Sequence, residues 1–272
     1  MPDRPPDHQP DRPPEHPPEH PRDGLTDALI DLLLGGRCVG CARPGRVLCR
    51  ACAAGLPVRP FPAWPSPTPP GLVTPWAVAP YDGVVRAMVV AHKEHRLIAL
   101  RRPLAALLAA AAAAAAATDA PEPVLLVPVP SRRASVRQRG YDPTRALTAR
   151  AAVLLRAAGH DVAAGRLLDP RPGVVDQAGL GAEERAANLA GSMCCRTAVL
   201  RRLAARHPRA SLVVCDDVLT TGSTAREAQR ALEAVGLHVA GVATVAATQR
   251  RFPDPSFVDG SRGEQAGRRA GA

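Results

Sequence analysis

The chain of 272 residues is long enough for one α/β domain with a small additional module, and 46% of its residues are hydrophobic whereas only 3% are aromatic. Its formal net charge of +10 comes almost entirely from arginine, because Lys93 is the single lysine, and this balance suits phosphate groups or nucleic acid as partners. No stretch reaches the ~18 apolar residues of a membrane helix, and the acidic, proline-rich N-terminal region lacks the apolar core of a signal peptide. A soluble cytoplasmic protein with reduced thiols and no membrane span is predicted.

Both ends of the chain are predicted to be disordered tails. Residues 1–24 are rich in proline and charge and have no apolar face, and residues 249–272 are basic and show no period. A short amphipathic helix is predicted at 25–34. The sequence therefore divides into a tail (1–24), a cysteine module with its linker (25–75), an α/β domain (76–248) and a second tail (249–272).

Four cysteines follow the predicted helix in two C-x-x-C pairs that are separated by seven residues: Cys38, Cys41, Cys49 and Cys52. This arrangement is typical of a structural zinc ribbon, in which four thiolates surround one Zn²⁺. Two disulfides or four free thiols are the alternatives, and a reducing compartment together with the paired spacing favours zinc. Because four protein ligands leave no open coordination position, the predicted metal is structural rather than catalytic.

The proline-rich stretch 56–75 predicts an irregular linker, and a short strand is predicted at 76–79. From Val84 to Leu108 apolar residues recur at helical spacing, and Pro103 is expected to break or restart the helix. Lys93 lies in this helical region. An exposed Lys93 side chain is favoured over a contact with a ligand.

The apolar run Val124–Val127 predicts a buried strand, and a basic loop follows it from Ser131 to Asp142. A solvated run of charge is the usual interpretation of such a loop, but its position between a buried strand and a helix at 147–158 favours a cradle for diphosphate. The principal candidates are Arg137 and Arg139, with Arg132 and Arg133 as weaker ones.

A shorter strand is predicted to begin at Arg166, and the glycine-rich segment beyond it has the composition of a mobile lid. The lid candidates are Gln177, Arg185 and Asn188. Arg185 and Asn188 lie three residues apart, as a simple surface pair on a helix also would. Met193–Cys195 predicts an edge strand.

The most informative stretch runs from Leu212 to Thr224. Its first four residues predict a strand that is buried on both faces of a parallel sheet, two adjacent acids follow, and a helix is predicted from Ala225 to Val235. The loop between strand and helix lies where open α/β sheets bind ligands. A final strand is predicted over 237–248.

The residue types in this loop suit a phosphorylated ribose. Hydroxyl groups, a glycine turn and a helix N-terminus favour a phosphate monoester, whereas the two carboxylates would repel phosphate and suit a vicinal diol. A plain turn with a helix cap is the alternative, and it explains the hydroxyl residues but not the adjacent acids. The predicted binding residues are Asp216, Asp217, Val218, Leu219, Thr220, Thr221, Gly222, Ser223 and Thr224.

The order of residues from Asp216 to Thr224 resembles the phosphoribosyl diphosphate (PRPP) signature of type I phosphoribosyltransferases. Together with the four cysteines and the motif Arg137-Gln138-Arg139-Gly140-Tyr141-Asp142, it resembles the ComF family, also called GntX-like, of double zinc ribbon phosphoribosyltransferase-domain proteins. The pattern Arg171, Gln177, Arg185, Asn188 is similar to the middle motif of that family. The resemblance covers residues 25–248 and departs from the family pattern at Asp142-Pro143, where the family has Asn-Gln.

The resemblance implies a parallel sheet flanked by helices with a small N-terminal zinc ribbon. It also implies that Mg²⁺ binds together with PRPP, that Asp216 and Asp217 hold the ribose hydroxyls, and that the loop Thr220–Thr224 binds the 5-phosphate. Arg137 and Arg139 would then neutralise the departing diphosphate while a nitrogen acceptor receives the phosphoribosyl group. In some bacteria the family is tied to competence and DNA uptake.

Three functions remain open on the sequence. The first is a phosphoribosyltransferase, and the second is a protein that binds PRPP or a nucleotide as a sensor without turnover. The third is an accessory protein of the DNA-uptake machinery whose ribbon and arginines contact single-stranded DNA. The low aromatic content disfavours the third, because single-strand binders stack bases on aromatic side chains.

Overall fold

The structure is a computed structural model that describes residues 36–117, 123–131, 133–171, 191–206 and 210–248. The predicted tails, the predicted helix at 25–34 and part of the predicted cradle and lid lie outside these residues. The candidate site residues concerned are Arg132, Gln177, Arg185 and Asn188.

Six strands form the main sheet. They are β1 (Phe61–Pro62), β2 (Pro75–Pro80), β3 (Val124–Pro128), β4 (Val162–Ala164), β7 (Ser211–Leu219) and β8 (Val239–Ala247). Their spatial order is β1-β2-β8-β7-β3-β4, in which β1 is antiparallel to β2 and every other neighbouring pair is parallel. The predicted α/β class with a mostly parallel sheet is therefore confirmed, and β7 lies in its interior.

Two further strands, β5 (Leu168–Pro170) and β6 (Met193–Cys195), pair antiparallel in a separate small sheet. The strand predicted at Met193–Cys195 is confirmed, and the strand predicted near Arg166 begins at Leu168. β4 was not predicted, because three residues are too few to show a period.

Helices flank the main sheet. They are α1 (Arg50–Ala54), α2 (Gly83–Glu94), α3 (Arg101–Ala116), α4 (Arg133–Arg139), α5 (Pro143–Ala157), α6 (Thr197–Arg206) and α7 (Ser223–Glu233), with a 3₁₀ turn at Ile98–Leu100. Pro103 is the third residue of α3, where its missing N–H needs no partner within the helix, so the expected restart at this proline is confirmed.

The interior strand β7 separates two apolar clusters. Val213 and Cys215 face the cluster that holds Met88 of α2 and much of α3 and α5, whereas Val214 faces the cluster that holds Leu232 of α7. Side chains alternate between the two faces of a strand, so a continuous apolar run is what burial on both faces requires. This is the burial that the sequence predicts for β7.

The alanine-rich helix α3 packs against the main sheet and α5. Ala105, Ala111 and Ala115 are fully buried there, since small side chains allow close packing. The segment Ile98–Ala116, with a mean hydropathy of 1.5, is long and apolar enough to cross a membrane, although the sequence analysis found no such stretch. Half of it is buried inside the domain, and the core helix of a soluble protein passes the same test. The structure looks like a soluble α/β domain.

Two further segments differ from the sequence prediction. The proline-rich stretch 56–75 contains the edge strand β1, and the basic loop 131–142 contains the helix α4. α4 was not predicted because four of its seven residues are charged or amide-bearing, so it has no apolar face of helical period.

Candidate functional site

The four cysteines of the two C-x-x-C pairs come together at one point. The Sγ atoms of Cys38, Cys41, Cys49 and Cys52 all lie within 4.8 Å of one another. The Sγ atoms of Cys41 and Cys49 are 3.7 Å apart, close to the ~3.8 Å separation that a tetrahedron of Zn–S bonds of about 2.3 Å produces. The residues present therefore fit a metal ion such as Zn²⁺.

Backbone N–H groups favour the thiolate form of Cys38, which is the form that binds a metal ion. Burial opposes ionisation of Cys38, but hydrogen bonds from the backbone of Cys49, Cys41 and Gly40 outweigh it and lower the pKa of Cys38 to about 6. The neighbouring cysteine side chains, Cys49 first, raise the pKa of Cys52 to about 12. Four thiolates at this distance need a positive charge between them, and a bound metal ion would provide it.

The cysteine cluster packs directly on the domain. A Cβ atom at Gly40 would lie 2.9 Å from Cys52 Sγ and 3.0 Å from Val84 Cγ2, so only glycine allows this approach to α2. Val39 and Leu48 pack against the same apolar cluster as α2 and α3. The position of α2 therefore depends on the loops that carry the cysteines.

At the other end of α2 lies the carboxyl edge of β7, with the two predicted acids. β7 extends to Leu219, so Asp216 and Asp217 belong to the last part of the strand and do not follow it. The carboxylate of Asp216 accepts the Asp217 N–H at 2.8 Å, and that of Asp217 accepts the Val218 N–H at 3.0 Å. These bonds orient both carboxylates at the edge where the strand leads into its loop.

Lys93 of α2 lies next to these two acids and pairs with one of them. Its Nζ lies 2.8 Å from Asp217 Oδ2, with side-chain exposures of 37% for Lys93 and 7% for Asp217. Burial disfavours the ammonium, but the charge of Asp217, its hydrogen bond with Lys93 and the charge of Asp216 together outweigh burial and raise the pKa of Lys93. The favoured prediction was an exposed Lys93 side chain, and 37% of it is exposed. The ion pair with Asp217 was not predicted, because only the fold reveals a partner so distant in the chain.

Asp216 resists ionisation. Burial and the adjacent charge of Asp217 hold the pKa of the Asp216 carboxyl well above its usual value, against the opposing effects of the Asp217 N–H and Lys93. One ammonium therefore serves two neighbouring carboxyl groups. The two carboxyl groups can therefore bind a further cation or accept hydrogen bonds from hydroxyl groups.

The loop after β7 is tightly held. Gly222 has a φ of 73°, in the left-handed region, and α7 begins at the next residue. The hydroxyl of Thr221 donates to Ser223 Oγ at 3.0 Å and accepts the Ser223 N–H at 3.4 Å. A Cβ at Gly222 would meet Pro65 Cγ at 2.9 Å and Leu72 Cδ2 at 3.2 Å, so the proline-rich segment supports the loop from behind.

Helix α7 fixes that proline-rich segment. Gln229 accepts the Val73 N–H at 3.1 Å and donates to the Gly71 carbonyl at 2.9 Å, and Arg226 donates to the Pro70 carbonyl at 2.9 Å. These polar side chains of α7 were not predicted as functional. Their helical spacing, three residues apart, is the one sequence signal that could have drawn attention to them.

The two principal cradle arginines lie on α4 in different settings. Arg139 donates to both carboxylate oxygens of Glu94, at 2.9 Å and 3.0 Å, and its charge acts on Lys93. Arg137 is exposed. Arg139 therefore lies near the acidic group, held by an ion pair with the last residue of α2.

Glu227 of α7 anchors the small sheet. It accepts the Met193 N–H at 2.9 Å and pairs with Arg230, whose Nε lies 2.7 Å from Glu227 Oε2. Burial opposes the charge, but the hydrogen bond from Arg230 and the backbone N–H groups lower the pKa of Glu227. The helix that follows the loop is thereby tied to the strand that follows residues 172–190.

Comparison with models of known protein families gave no match, and none of the curated proteins matched the sequence.

Proposed function

We propose that the chain binds PRPP together with Mg²⁺ at the carboxyl edge of β7 and acts as a phosphoribosyltransferase of the ComF type. One observation carries the proposal: Asp216 and Asp217 lie side by side at the edge of an interior parallel strand, directly before the loop Thr220–Thr224 and the start of α7. The resemblance of the residues from Asp216 to Thr224 to the PRPP signature supports it.

The loop binds the 5-phosphate of PRPP in this proposal. Its hydroxyl groups and the first N–H groups of α7 supply donors, and the positive end of the helix dipole favours the dianion. Gly222 allows the loop to turn sharply enough for these donors to converge. The proline-rich segment behind the loop limits its movement.

The carboxyl groups of Asp216 and Asp217 hold the ribose diol. Both groups accept hydrogen bonds, and Asp216 can also keep its proton because its pKa is raised. Mg²⁺ favours oxygen ligands, so Asp216 and Asp217 are the residues that would hold it beside PRPP, where it neutralises diphosphate charge. Lys93 keeps Asp217 in place and adds positive charge at the same edge.

Transfer replaces the bond between the anomeric carbon and diphosphate oxygen by a bond to the acceptor nitrogen, which then loses a proton. Arg139 and Arg137 stabilise the departing diphosphate, and Arg139 exchanges its ion pair with Glu94 for this contact. Catalysis of this kind rests on positioning and on charge stabilisation, and it needs no covalent nucleophile.

The cysteine cluster is a zinc ribbon in this proposal, with Zn²⁺ in a structural role. Its four ligands leave no position for substrate, so it contributes by holding α2, which carries Lys93. The compartment that fits this proposal is the cytoplasm, whose reducing conditions keep the four thiols available for zinc.

Calorimetric titration with PRPP and Mg²⁺ tests the binding site. Wild type should bind, and Asp216→Asn with Asp217→Asn should weaken binding at least about tenfold. Asp161→Asn, which changes an exposed acid on another edge of the sheet, is the control and should bind as wild type. No binding by wild type, or undiminished binding by the double variant, contradicts the proposal.

A second measurement separates an enzyme from a sensor. Diphosphate release is followed with PRPP and a panel of nitrogen bases and amines. Release that depends on one acceptor and is lost in the Asp216→Asn, Asp217→Asn variant identifies a transferase. If PRPP binds but no acceptor causes diphosphate release, the protein binds PRPP without acting as a transferase.

A further inference from the structure

A cavity of about 410 Å³ lies apart from the loop Thr220–Thr224, between the end of α2, the start of α3 and the first turns of α5. It shares no lining residue with the stretch Asp216–Thr224. Its volume exceeds that of one water molecule, about 30 Å³, by an order of magnitude and falls in the range of sites for small ligands.

The walls of the cavity carry an excess of positive charge. Arg96, Arg101 and Arg145 line it, with Asp142 as the one acidic residue in the lining. None of the three guanidinium groups forms an ion pair with a carboxylate of the described residues. Asp142 already accepts hydrogen bonds from the Ser131 hydroxyl and from the Arg145 N–H that it caps. The formal charge of +2 is therefore left without a local counterion.

A buried histidine borders the same space. His92 is only 2% exposed and lines the cavity, and its Nε2 has no hydrogen-bond partner among the described residues. Its Nδ1 lies 3.4 Å from the Leu97 carbonyl, so Nε2 is the ring nitrogen without a partner. Buried polar groups without partners are rare in folded proteins because they cost stability, so His92 is an unusual residue beside the cavity.

Tyr141 forms an aromatic wall beside these groups. Its hydroxyl donates to the His92 carbonyl, and the guanidinium carbon of Arg96 lies 5.8 Å from its ring centroid. Arg96 adopts a φ of 55°, a left-handed conformation that is uncommon outside glycine. Such backbone conformations cluster at ligand sites, where the surrounding structure holds a side chain in place.

We propose that this cavity binds a small phosphorylated molecule. A phosphate monoester carries a charge of about −1.5 to −2, which matches the unbalanced +2, and arginine guanidinium groups bind its oxygens in a planar fork. His92 lies beside the ligand and reports its binding, and the Tyr141 ring packs against its organic part. The site does not depend on the proposed PRPP function, because none of its residues takes part in it.

The experiment uses phenyl phosphate as the probe and the full-length zinc-loaded protein. Binding is followed by calorimetry and by the imidazole NMR signal of His92, which is assigned from its loss in His92→Gln. Phenyl phosphate should shift this signal, and Arg101→Gln with Arg145→Gln should weaken binding at least about tenfold. Arg201→Gln with Arg202→Gln removes the same charge from exposed positions on α6 and should leave binding at this site unchanged.

A further variant and a second probe distinguish the cavity from other phosphate sites. Thr221→Ala with Thr224→Ala alters the PRPP loop and should not change the His92 response. Benzoate, with a single negative charge, should bind less tightly than phenyl phosphate. The proposal is overturned if His92 does not respond, if both arginine pairs weaken binding equally, or if the loop variant abolishes the response.

Discussion

The carboxyl groups of Asp216 and Asp217 and the ammonium of Lys93 form a charged group whose members are unequal. Asp217 has Lys93 at 2.8 Å, whereas Asp216 has no cation of its own among the described residues. Folding therefore places one carboxyl group where its ionisation is unfavourable. Such unfavourable local charge is common at ligand sites, where the ligand rather than the protein supplies the compensation.

Asp216→Asn should stabilise the protein at neutral pH. Burial, followed by the charge of Asp217, raises the folded-state pKa of Asp216, so wild type loses stability as the pH rises above the unfolded value of about 3.9. The difference in unfolding free energy between Asp216→Asn and wild type should be close to zero near that pH. It should grow as the pH rises and level off above the folded-state pKa of Asp216.

The measurement is thermal unfolding from pH 4 to pH 8, in which each kcal/mol corresponds to about 2–4 °C in a domain of this size. Asp161→Asn is the matched control and should show no such trend. A variant that is less stable than wild type at pH 7, or a difference that does not grow with pH, would rule out this assignment of the buried charge.

Lys93→Met should destabilise the protein because it leaves two adjacent carboxyl groups without their cation. Removal of one partner of a fully buried pair costs about 3–5 kcal/mol. Lys93 is 37% exposed, so solvent screening reduces the expected loss to about 1–2 kcal/mol.

Urea unfolding of a double-mutant cycle measures this interaction. Asp217→Asn in the Lys93→Met background should recover most of the lost stability, since the carboxylate that is paired directly with Lys93 is then also removed. If Asp217→Asn instead adds a further, independent loss, the ion pair is not the source of the effect.

At the level of elements, the loop between β7 and α7 is rigid because a second segment supports it. Pro65 and Leu72 lie behind Gly222, and α7 holds the backbone of that segment through Gln229 and Arg226. The linker predicted at 56–75 thus supports the loop that follows β7. Its irregular structure is suited to this, because proline restricts the backbone without requiring a sheet or helix.

Gly222→Ala should abolish PRPP binding and reduce stability. The left-handed φ of 73° costs a residue with a Cβ about 1–2 kcal/mol, and contact with Pro65 at 2.9 Å adds to that cost by pushing the loop outward. Calorimetry with PRPP and urea unfolding are the measurements.

Gly236→Ala is the matched control, since Gly236 has a φ of 78° and no atom within 4 Å of a Cβ at that position. Gly236→Ala should lose only the stability that a left-handed φ costs a residue with a Cβ, and it should retain PRPP binding. Equal losses of stability in the two variants would show that the support behind Gly222 contributes nothing, and retained PRPP binding by Gly222→Ala would contradict the loop assignment.

The elements differ in how well their sequence predicts them. β7 and β3 are predictable because a run of large apolar residues buried on both faces leaves a local signal. α4 and β1 leave none: the first is short and polar, and the second is two residues within a proline-rich stretch. Within the candidate site, the acids and the loop are contiguous in sequence, so the sequence alone is enough to propose them together. Lys93 and Glu94 were not assigned to it, because their partners Asp217 and Arg139 are brought near only by the fold.

At the scale of the whole molecule, the cysteine module and the α/β domain form one body in the described residues. Val47 belongs to the apolar cluster of α2, α3 and the main sheet, and Leu56 packs against it. The strand β1, which follows the cysteines, is paired to β2. A module integrated in this way is expected to unfold with the domain rather than before it.

Removal of zinc should therefore affect the entire molecule. The purified protein should contain about one equivalent of zinc, and chelation should lower the midpoint of a single unfolding transition. PRPP affinity should fall as well, because the cysteine loops pack against Val84 on the helix that carries Lys93. Metal analysis, the fluorescence of Trp64 and Trp76 during heating, and calorimetry with PRPP are the measurements.

Cys49→Ser should reproduce the effects of chelation, whereas Cys194→Ala, which alters a cysteine outside the cluster, should retain zinc, midpoint and PRPP affinity. Less than about half an equivalent of zinc in the wild-type protein would argue against a ribbon. A chelated protein that unfolds in two separate transitions, with unchanged PRPP affinity, would show that the module is independent of the domain. In that case the packing of α2 against the rest of the domain sets the position of Lys93 without the cysteine loops.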